Sequence, residues 1–426
     1  MNRILFICFL SLSLVFTACD QDIPNPNAAT DEQILSSAEG LLGMINGMQF
    51  RYTLGGASGL YAGISANGLT TGELQILNAG NAELAQLGNG GDNVAPNNAV
   101  ITNLWQNLHL LKADAEKVLE NAPDVIPDAS TRADVVAAAS FYKALALGTL
   151  AQFWEQMPLA TAEDAPFSTR EQALQEAVNL LRSASAQIGA SPSTAFASAV
   201  GTDIDFANAI SALSARYNLM LGNLDDARAD AESVDLTSQS LFRFDNVNPN
   251  PVFRSSLITS NVYDVNPDFG LSGELLPDAA DGRIAFYLTP NASNGKGFFT
   301  SDETPIPVYL PGEMMLIKAE VAARQSNLAE AVTQLNMVLT KTDDIYGVNA
   351  ALPAYVGAET QEALLTEIYR NRVIELYMTG LKLEDSRRFD RPGPTSGATA
   401  ERNRNFYPYP NQERDNNPNT PADPTN

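Results

Sequence analysis

Apolar residues recur at helical spacing through most of the chain, and glycine-, asparagine- and proline-rich stretches interrupt them. Thr30-Asp31-Glu32-Gln33 reads as a helix cap, and Ile34, Leu41, Leu42 and Ile45 follow it on one stripe over residues 31–49. Residues 101–121 give the clearest pattern, with Leu104, Leu108, Leu111, Ala115 and Val118 aligned. Ala133–Trp154 is the most apolar stretch beyond the N-terminus, yet Lys143 and Gln152 interrupt it and alanine dominates it. This predicts a buried bundle helix rather than a membrane span. Its partner is the amphipathic run Arg170–Ile188, and Met157-Pro158 between them ends the first helix, because proline cannot continue a helical hydrogen-bond ladder.

An internal repeat sharpens the picture. Ala215, Gly222, Asn223, Leu224, Ala227 and Ala231 align with Ala319, Ser326, Asn327, Leu328, Ala331 and Leu335. Both segments predict a helix, a tight Gly/Ser-Asn-Leu turn and a second helix, the layout of a tetratricopeptide repeat. Ala144–Phe153 with Arg170–Ile188 reads as a looser copy, and Glu362–Phe389 as a fourth. The expected fold is therefore all-α: about four tetratricopeptide-like helix pairs, stacked so that neighbours bury what one pair cannot. Long insertions must separate them. Residues 50–100, with Gly55-Gly56 and Gly88-Asn89-Gly90-Gly91, form one expected loop insertion. Residues 236–312 form the other, with short β-hairpins possible, for example around Ile284–Leu288. The chain beyond Pro392 reads as non-helical, and Asn416–Asn426 as disordered.

The N-terminus adds a compartment. Arg3, the apolar run Ile4–Phe16 and Thr17-Ala18 before Cys19 read as a secretory signal over residues 1–18. The run is shorter than the roughly 20 residues that span a bilayer. Cys19 at the cleavage point resembles a lipoprotein box, although Phe16 stands where leucine is favoured. Acyl chains on Cys19 would anchor the protein, each buried methylene contributing ~0.8 kcal/mol. Asp20-Gln21-Asp22 behind it resembles the surface-export signal of Bacteroidota lipoproteins, and residues 19–30 would be the lipidated start and its tether. A single repeat domain over residues 31–426 would follow.

Charge and composition narrow the function. With Lys+Arg 26 against Asp+Glu 50, the net charge is −24. Such a surface repels phosphate backbones and anionic lipid heads, so nucleic acid is not an expected partner, and membrane contact is expected through the N-terminal lipid only. Of two cysteines, Cys8 leaves with the signal and Cys19 is consumed by lipid. His109 is the only histidine, which excludes His-rich zinc sites and confines any Ser-His-Asp arrangement to that residue. Beside Trp105 on an apolar stripe, His109 reads as structural, and Trp105 and Trp154 as core. Ser58 lacks the Gly-x-Ser-x-Gly spacing of a nucleophile elbow, and Gly88–Gly91 lacks the Lys-Ser/Thr of a phosphate loop. The paired acids Asp203/Asp205, Asp225/Asp226 and Asp343/Asp344 lack an EF-hand layout and read as helix ends or turns. Neither an enzyme nor a metal or other cofactor is expected.

Binding has more support. Sugar rings stack on aromatic faces, and their hydroxyls seek amide and carboxylate partners, a combination that suits loops. Tyr52, Tyr61, Asn78, Asn81, Gln86, Asn89 and Asp92 in the first insertion are ligand-contact candidates. Tyr263, Tyr287, Phe298 and Phe299 are those of the second.

Four segments together resemble the SusD/RagB family of outer-membrane nutrient-uptake lipoproteins. They are the lipidated N-terminus, Phe141–Phe153 with Met157-Pro158-Leu159, the helix Glu367–Phe389, and Phe406-Tyr-Pro-Tyr-Pro410 followed by Glu413, Asn417 and Pro418. Asn371, Thr379 and Lys382 depart from the family's pattern at positions that carry the helix's ion pairs. The resemblance implies a tetratricopeptide-built lid on a TonB-dependent outer-membrane transporter, held at the cell surface and binding an oligosaccharide. A peptide ligand, or a scaffold that assembles envelope proteins, stays open beside it.

Overall fold

A computed structural model describes residues 30–254, 263–288 and 297–425. Cys19, with the leader and most of the tether, lies outside the described residues. The first helical stripe splits into α1 (Asp31–Leu35) and α2 (Ala38–Thr53). Thr30 caps α1 in a capping box with Gln33, and Ser37 caps α2.

Residues 50–100 correct the sequence expectation, for two helices occupy them: α3 (Gly59–Thr71) and α4 (Ala82–Asn89), joined through strand β1 (Leu74–Ile76). Every residue of α3 is buried. Its glycines and small side chains were read as loop-formers, but they allow close packing. A Cβ at Gly59 would press on Tyr52 and Leu108, and one at Gly68 would strike Leu74. A helix buried on all sides shows no amphipathic stripe, so periodicity could not reveal it.

Helices α5 (Ala99–Val125) and α6 (Ala129–Phe153) are long antiparallel neighbours of this layer. By length and composition α6 could cross a membrane, but its most apolar window is 83% buried inside the protein. Lys143 pairs with Glu116, and Gln152 donates to Gly148 O, so both polar interruptions are accommodated. Trp154 caps the helix, and strands β2 (Gln156–Pro158) and β3 (Phe167–Thr169) pair antiparallel before α7 (Arg170–Ser185).

The repeats stack as the periodicity predicts. Helix α7 packs on α6 and on α9 (Phe206–Leu221), which follows the short α8 (Thr194–Ala199). Helix α9 pairs with α10 (Leu224–Ser233). The two aligned turns share their backbone geometry at the helix end. Gly222 has φ 79° and Ser326 has φ 61°; Asn223 N–H donates to Asn218 O at 2.9 Å, and Asn327 N–H donates to Ala322 O at 2.8 Å. Both are left-handed helix ends with the long backbone bond of a Schellman motif.

The second insertion carries β4 (Leu241–Phe242), β5 (Tyr263–Val265), α11 (Gly282–Tyr287) and β6 (Ile306–Pro307). The hairpin expected around Ile284–Leu288 is replaced by α11, which Asp281 caps through Arg283 N–H. The strands pair with distant partners, β4 with β6 and β5 with β1. Helix α12 (Pro311–Arg324) then packs on α10, on α13 (Leu328–Leu339) and on α14 (Gln361–Glu375), and α15 (Lys382–Arg388) returns to α3. The C-terminal stretch is ordered rather than free, with α16 (Asn411–Asn416) inside it. Beyond that helix, Asn417 donates to Ala165 O, and Asp423 accepts from Tyr409 N–H and Arg414.

Buried charge ties α12, α14 and α15 together. Arg372 makes a two-pronged bond to Asp385 at 2.9 and 3.0 Å, and Arg388 holds Glu320 at 2.8 and 2.9 Å. Arg324 adds a third contact to Glu320. Burial works against the Glu320 charge, but Arg388, Arg372 and Arg324 outweigh it and hold the carboxyl at about 2. The departures from the family pattern fit this network. Asn371 accepts from Arg283 and donates to Glu367, while Asp281 and Glu375 neutralise the Arg283 charge.

Candidate ligand-binding site

The two insertions meet. β1 and β5 form a two-stranded antiparallel ribbon, with Leu74 opposite Val265, Gln75 opposite Asp264 and Ile76 opposite Tyr263. Glu73 O, just before the ribbon, accepts from Asn266 N–H and from the Tyr377 hydroxyl. Lys382 fixes the junction from below. Its ammonium donates to Thr71 O, Phe269 O and Gly270 O at 2.8 to 2.9 Å, joining both insertions to α15. An arginine there would carry a planar fork into a pocket of three converging carbonyls, a geometry that an ammonium suits better.

Beside the ribbon an open cleft of about 470 Å³ runs between Gln75, Ile76 and Asn89 on one side and Glu401, Arg402 and Asn403 on the other. This is within the roughly 300–1,000 Å³ typical of small-ligand sites. Asn403 donates to Leu87 O and Gly88 O at 2.8 and 3.0 Å, while its Oδ1 is buried without a partner. Arg402 reaches Asn405 and Arg391 O. The floor is polar underneath. Burial raises the Glu73 carboxyl above its ordinary range, Lys382 nearby opposing the rise, and burial lowers the Lys382 ammonium. Asn67, wholly buried, donates to Glu73 at 2.6 Å and accepts from Leu383 N–H, locking α3 to α15.

The candidates from the sequence divide by chemistry. Asn89 lines the cleft and is exposed, as are Asn78 and Asp92 nearby in sequence. Asn78 accepts from Gly80 N–H, Asn81 caps α4 through Leu84 N–H, and Gln86 accepts from Asn98, so these three shape the first insertion. The aromatics correct the expectation of an exposed stacking platform. Tyr52, Tyr61, Tyr263, Tyr287, Phe298 and Phe299 are all less than a tenth exposed. Tyr263 shares a hydrogen bond with Ser65, Tyr287 donates to Glu375 O, and Phe298 packs edge-on against Phe286, Tyr287 and Tyr346. Tyr52, Phe298 and Phe299 do meet, around a separate cavity of about 50 Å³ walled by the Arg216–Glu313 pair. That space suits a few waters and is too small for a sugar ring.

Sequence reasoning missed the C-terminal wall of the cleft. Glu401–Asn403 carries no periodic signal, and what positions it is the following Tyr-Pro-Tyr-Pro run. Tyr407 N–H donates to Phe153 O, its hydroxyl reaches Ala66 O, and Trp154 Nε1 donates to Pro408 O. Trp105 and Trp154 are core, 4.9 Å apart and edge-on. His109 packs 4.5 Å from Trp105, and burial, aided by Lys112, holds its imidazole well below the usual range and so neutral. The paired acids lie at helix starts and turns: Asp205 caps α9, Asp225 and Asp226 open α10, and Asp344 pairs with Lys341. Among the described residues, no group of three or more His, Cys, Asp or Glu side chains is placed to hold a metal.

Stacked helix pairs, with a polar cleft between the first insertion and the C-terminal segment, define the class as a helical-repeat fold. The fold is similar to that of solved structures of SusD superfamily proteins. A SusD superfamily protein from Bacteroides vulgatus superposes with a TM-score of 0.72 at 12% identity, over 91% of this chain and 99% of that one. One from Bacteroides fragilis gives 0.69 at 17%, over 91% and 99%. A SusD-like carbohydrate binding protein from Bacteroides fragilis gives 0.65 at 13%, over 91% and 99%. No family model and no curated protein matches the sequence.

Proposed function

We propose that this chain is a SusD/RagB-type binding protein of the outer membrane, anchored by acylated Cys19, that captures an oligosaccharide and delivers it to a TonB-dependent transporter without breaking a bond. The open cleft between the first insertion and the C-terminal segment carries the reading, because it gathers the amides of Gln75 and Asn89 with Glu401 and Arg402. Neighbouring structures of the same fold are called carbohydrate binding proteins. In the cleft, the exposed Gln75 and Asn89 offer donors and acceptors to sugar hydroxyls.

A peptide ligand is the second reading, and one observation favours it: no aromatic ring lines the cleft among the described residues. Calorimetric titration against oligosaccharide and peptide panels separates the two. Purification of the native complex through this chain tests the transporter, and recovery of envelope proteins without any barrel would favour a scaffold instead.

A further inference from the structure

A second cavity shares no lining residue with the cleft. It has a volume of about 250 Å³ and lies where the first turns of α6 and α9 meet the loop between α7 and α8. Asp134 and Asp205 line it together with the rings of Phe196 and Phe206. Asp134 is only 4% exposed. Its Oδ2 accepts from Ser193 N–H at 2.7 Å; no described Lys or Arg pairs with the carboxylate, and no described donor reaches Oδ1. Glu313, Glu320, Glu375 and Asp385, also buried, each have an arginine, whereas Asp134, like Glu73 and Asp264, has no ion-pair partner among the described residues. Asp134 Oδ1 is not sealed in protein, so it stays an acceptor open to the cavity and to a ligand's N–H.

The rest of the cavity is built to receive a cation. Phe196 and Phe206 stand edge-on with centroids 5.8 Å apart, and aromatic faces attract an ammonium. Asp205 has its oxygens engaged by Asn208 and Ser238 and so is fixed in place as a second negative charge. Thr202 and Gln239 at the wall supply oxygen acceptors for further N–H groups. The net charge of −24 favours the approach of cations. We propose that this cavity is a binding site for a primary ammonium group, with Asp134 as its ion-pair partner. Two carriers share that chemistry, a lysine side chain and an amino sugar.

Titration calorimetry of the full chain tests it with Nα-acetyl-lysine amide and glucosamine, against the uncharged Nα-acetyl-norleucine amide and N-acetylglucosamine. At least one amine binds, and its uncharged counterpart binds about tenfold or more weakly. Asp134→Asn keeps an acceptor for Ser193 N–H, and it should lower amine affinity by about the same factor. Should that variant fold poorly, Ser191→Trp, at an exposed residue of the lining, blocks the cavity without touching the carboxylate. The amine that binds names the carrier. Absence of amine binding, equal binding of the uncharged probes, or full amine affinity in both variants overturns the proposal. Oligosaccharide binding at the cleft is read separately with Gln75→Ala, so either reading can fail alone.

Discussion

Gly148 and Gly222 show how single atoms decide whether helices can close. A Cβ at Gly148 would lie 2.1 Å from the Tyr217 ring, so Gly148→Ala must push α6 and α9 apart and should cost about 1–3 kcal/mol in urea unfolding. Gly222 and Ser326 end equivalent helices in the left-handed region, but only one of them is glycine. Gly222→Ala should therefore lose about 1–2 kcal/mol, while Ser326→Gly should be neutral to stabilising by up to ~1 kcal/mol. Opposite signs at two positions of one motif would be hard to obtain unless the turns are equivalent. Glu320 sets a pH dependence. Its folded value of about 2 lies below the ordinary 4.5, so its contribution is complete above about pH 4.5 and is lost as pH falls towards 2. Glu320→Gln should remove that acid-side slope and cost about 3–5 kcal/mol, because Arg324 loses its anion and Arg388 and Arg372 are left to share Asp385. Urea midpoints that kept the wild-type slope between pH 5 and 2.5 would place the acid sensitivity elsewhere.

Elements with a visible stripe were legible in the sequence, and elements without one were not. Helices α5 and α7 bury one face against a neighbour, so spacing found them, and the internal repeat marked α9, α10, α12 and α13, although α12 is buried over nearly its whole length. Helix α3 buries every face and is rich in glycine, so it read as a loop. The strands are two or three residues long, and β1 pairs with β5 across more than a hundred residues, as Leu74 does with Val265, beyond any local signal. The same long-range pairing hid the site. Asn89 was legible as an exposed amide, whereas the opposite wall at Glu401–Asn403 is placed by Tyr407 and Pro408 docking on the end of α6. Tyr and Phe in glycine-rich segments suggest a surface platform by sequence, but glycine also permits close packing, and here the rings fill the core. Lys382 makes the ribbon testable as an element. Lys382→Met removes three carbonyl bonds, and hydrogen exchange at residues 74–76 and 263–265 should accelerate by about tenfold or more while α12 and α13 stay protected. Unchanged exchange at the ribbon would show that β1 and β5 hold without the clamp.

The molecule is an acidic stack of helix pairs, with its polar cleft placed between the first insertion and a C-terminal segment. The stack buries the apolar surface, which frees the insertions to differ without endangering the fold. Low identity to structures of the same fold follows naturally, since about 12–17% of residues suffices to keep the stacking pattern. Anchoring is separable from binding: Cys19→Ser should move the protein from the membrane to the soluble fraction and leave ligand affinity unchanged. Persistence at the membrane would refute the lipid anchor. The most direct measurement is titration of the full chain against a panel of oligosaccharides, with Gln75→Ala/Asn89→Ala beside it. The account predicts that at least one glycan binds, that the double variant loses about tenfold or more in affinity at unchanged melting temperature, and that the glycan is recovered intact. Glycan binding that ignores both substitutions, or a glycan returned as cleaved products, would contradict it.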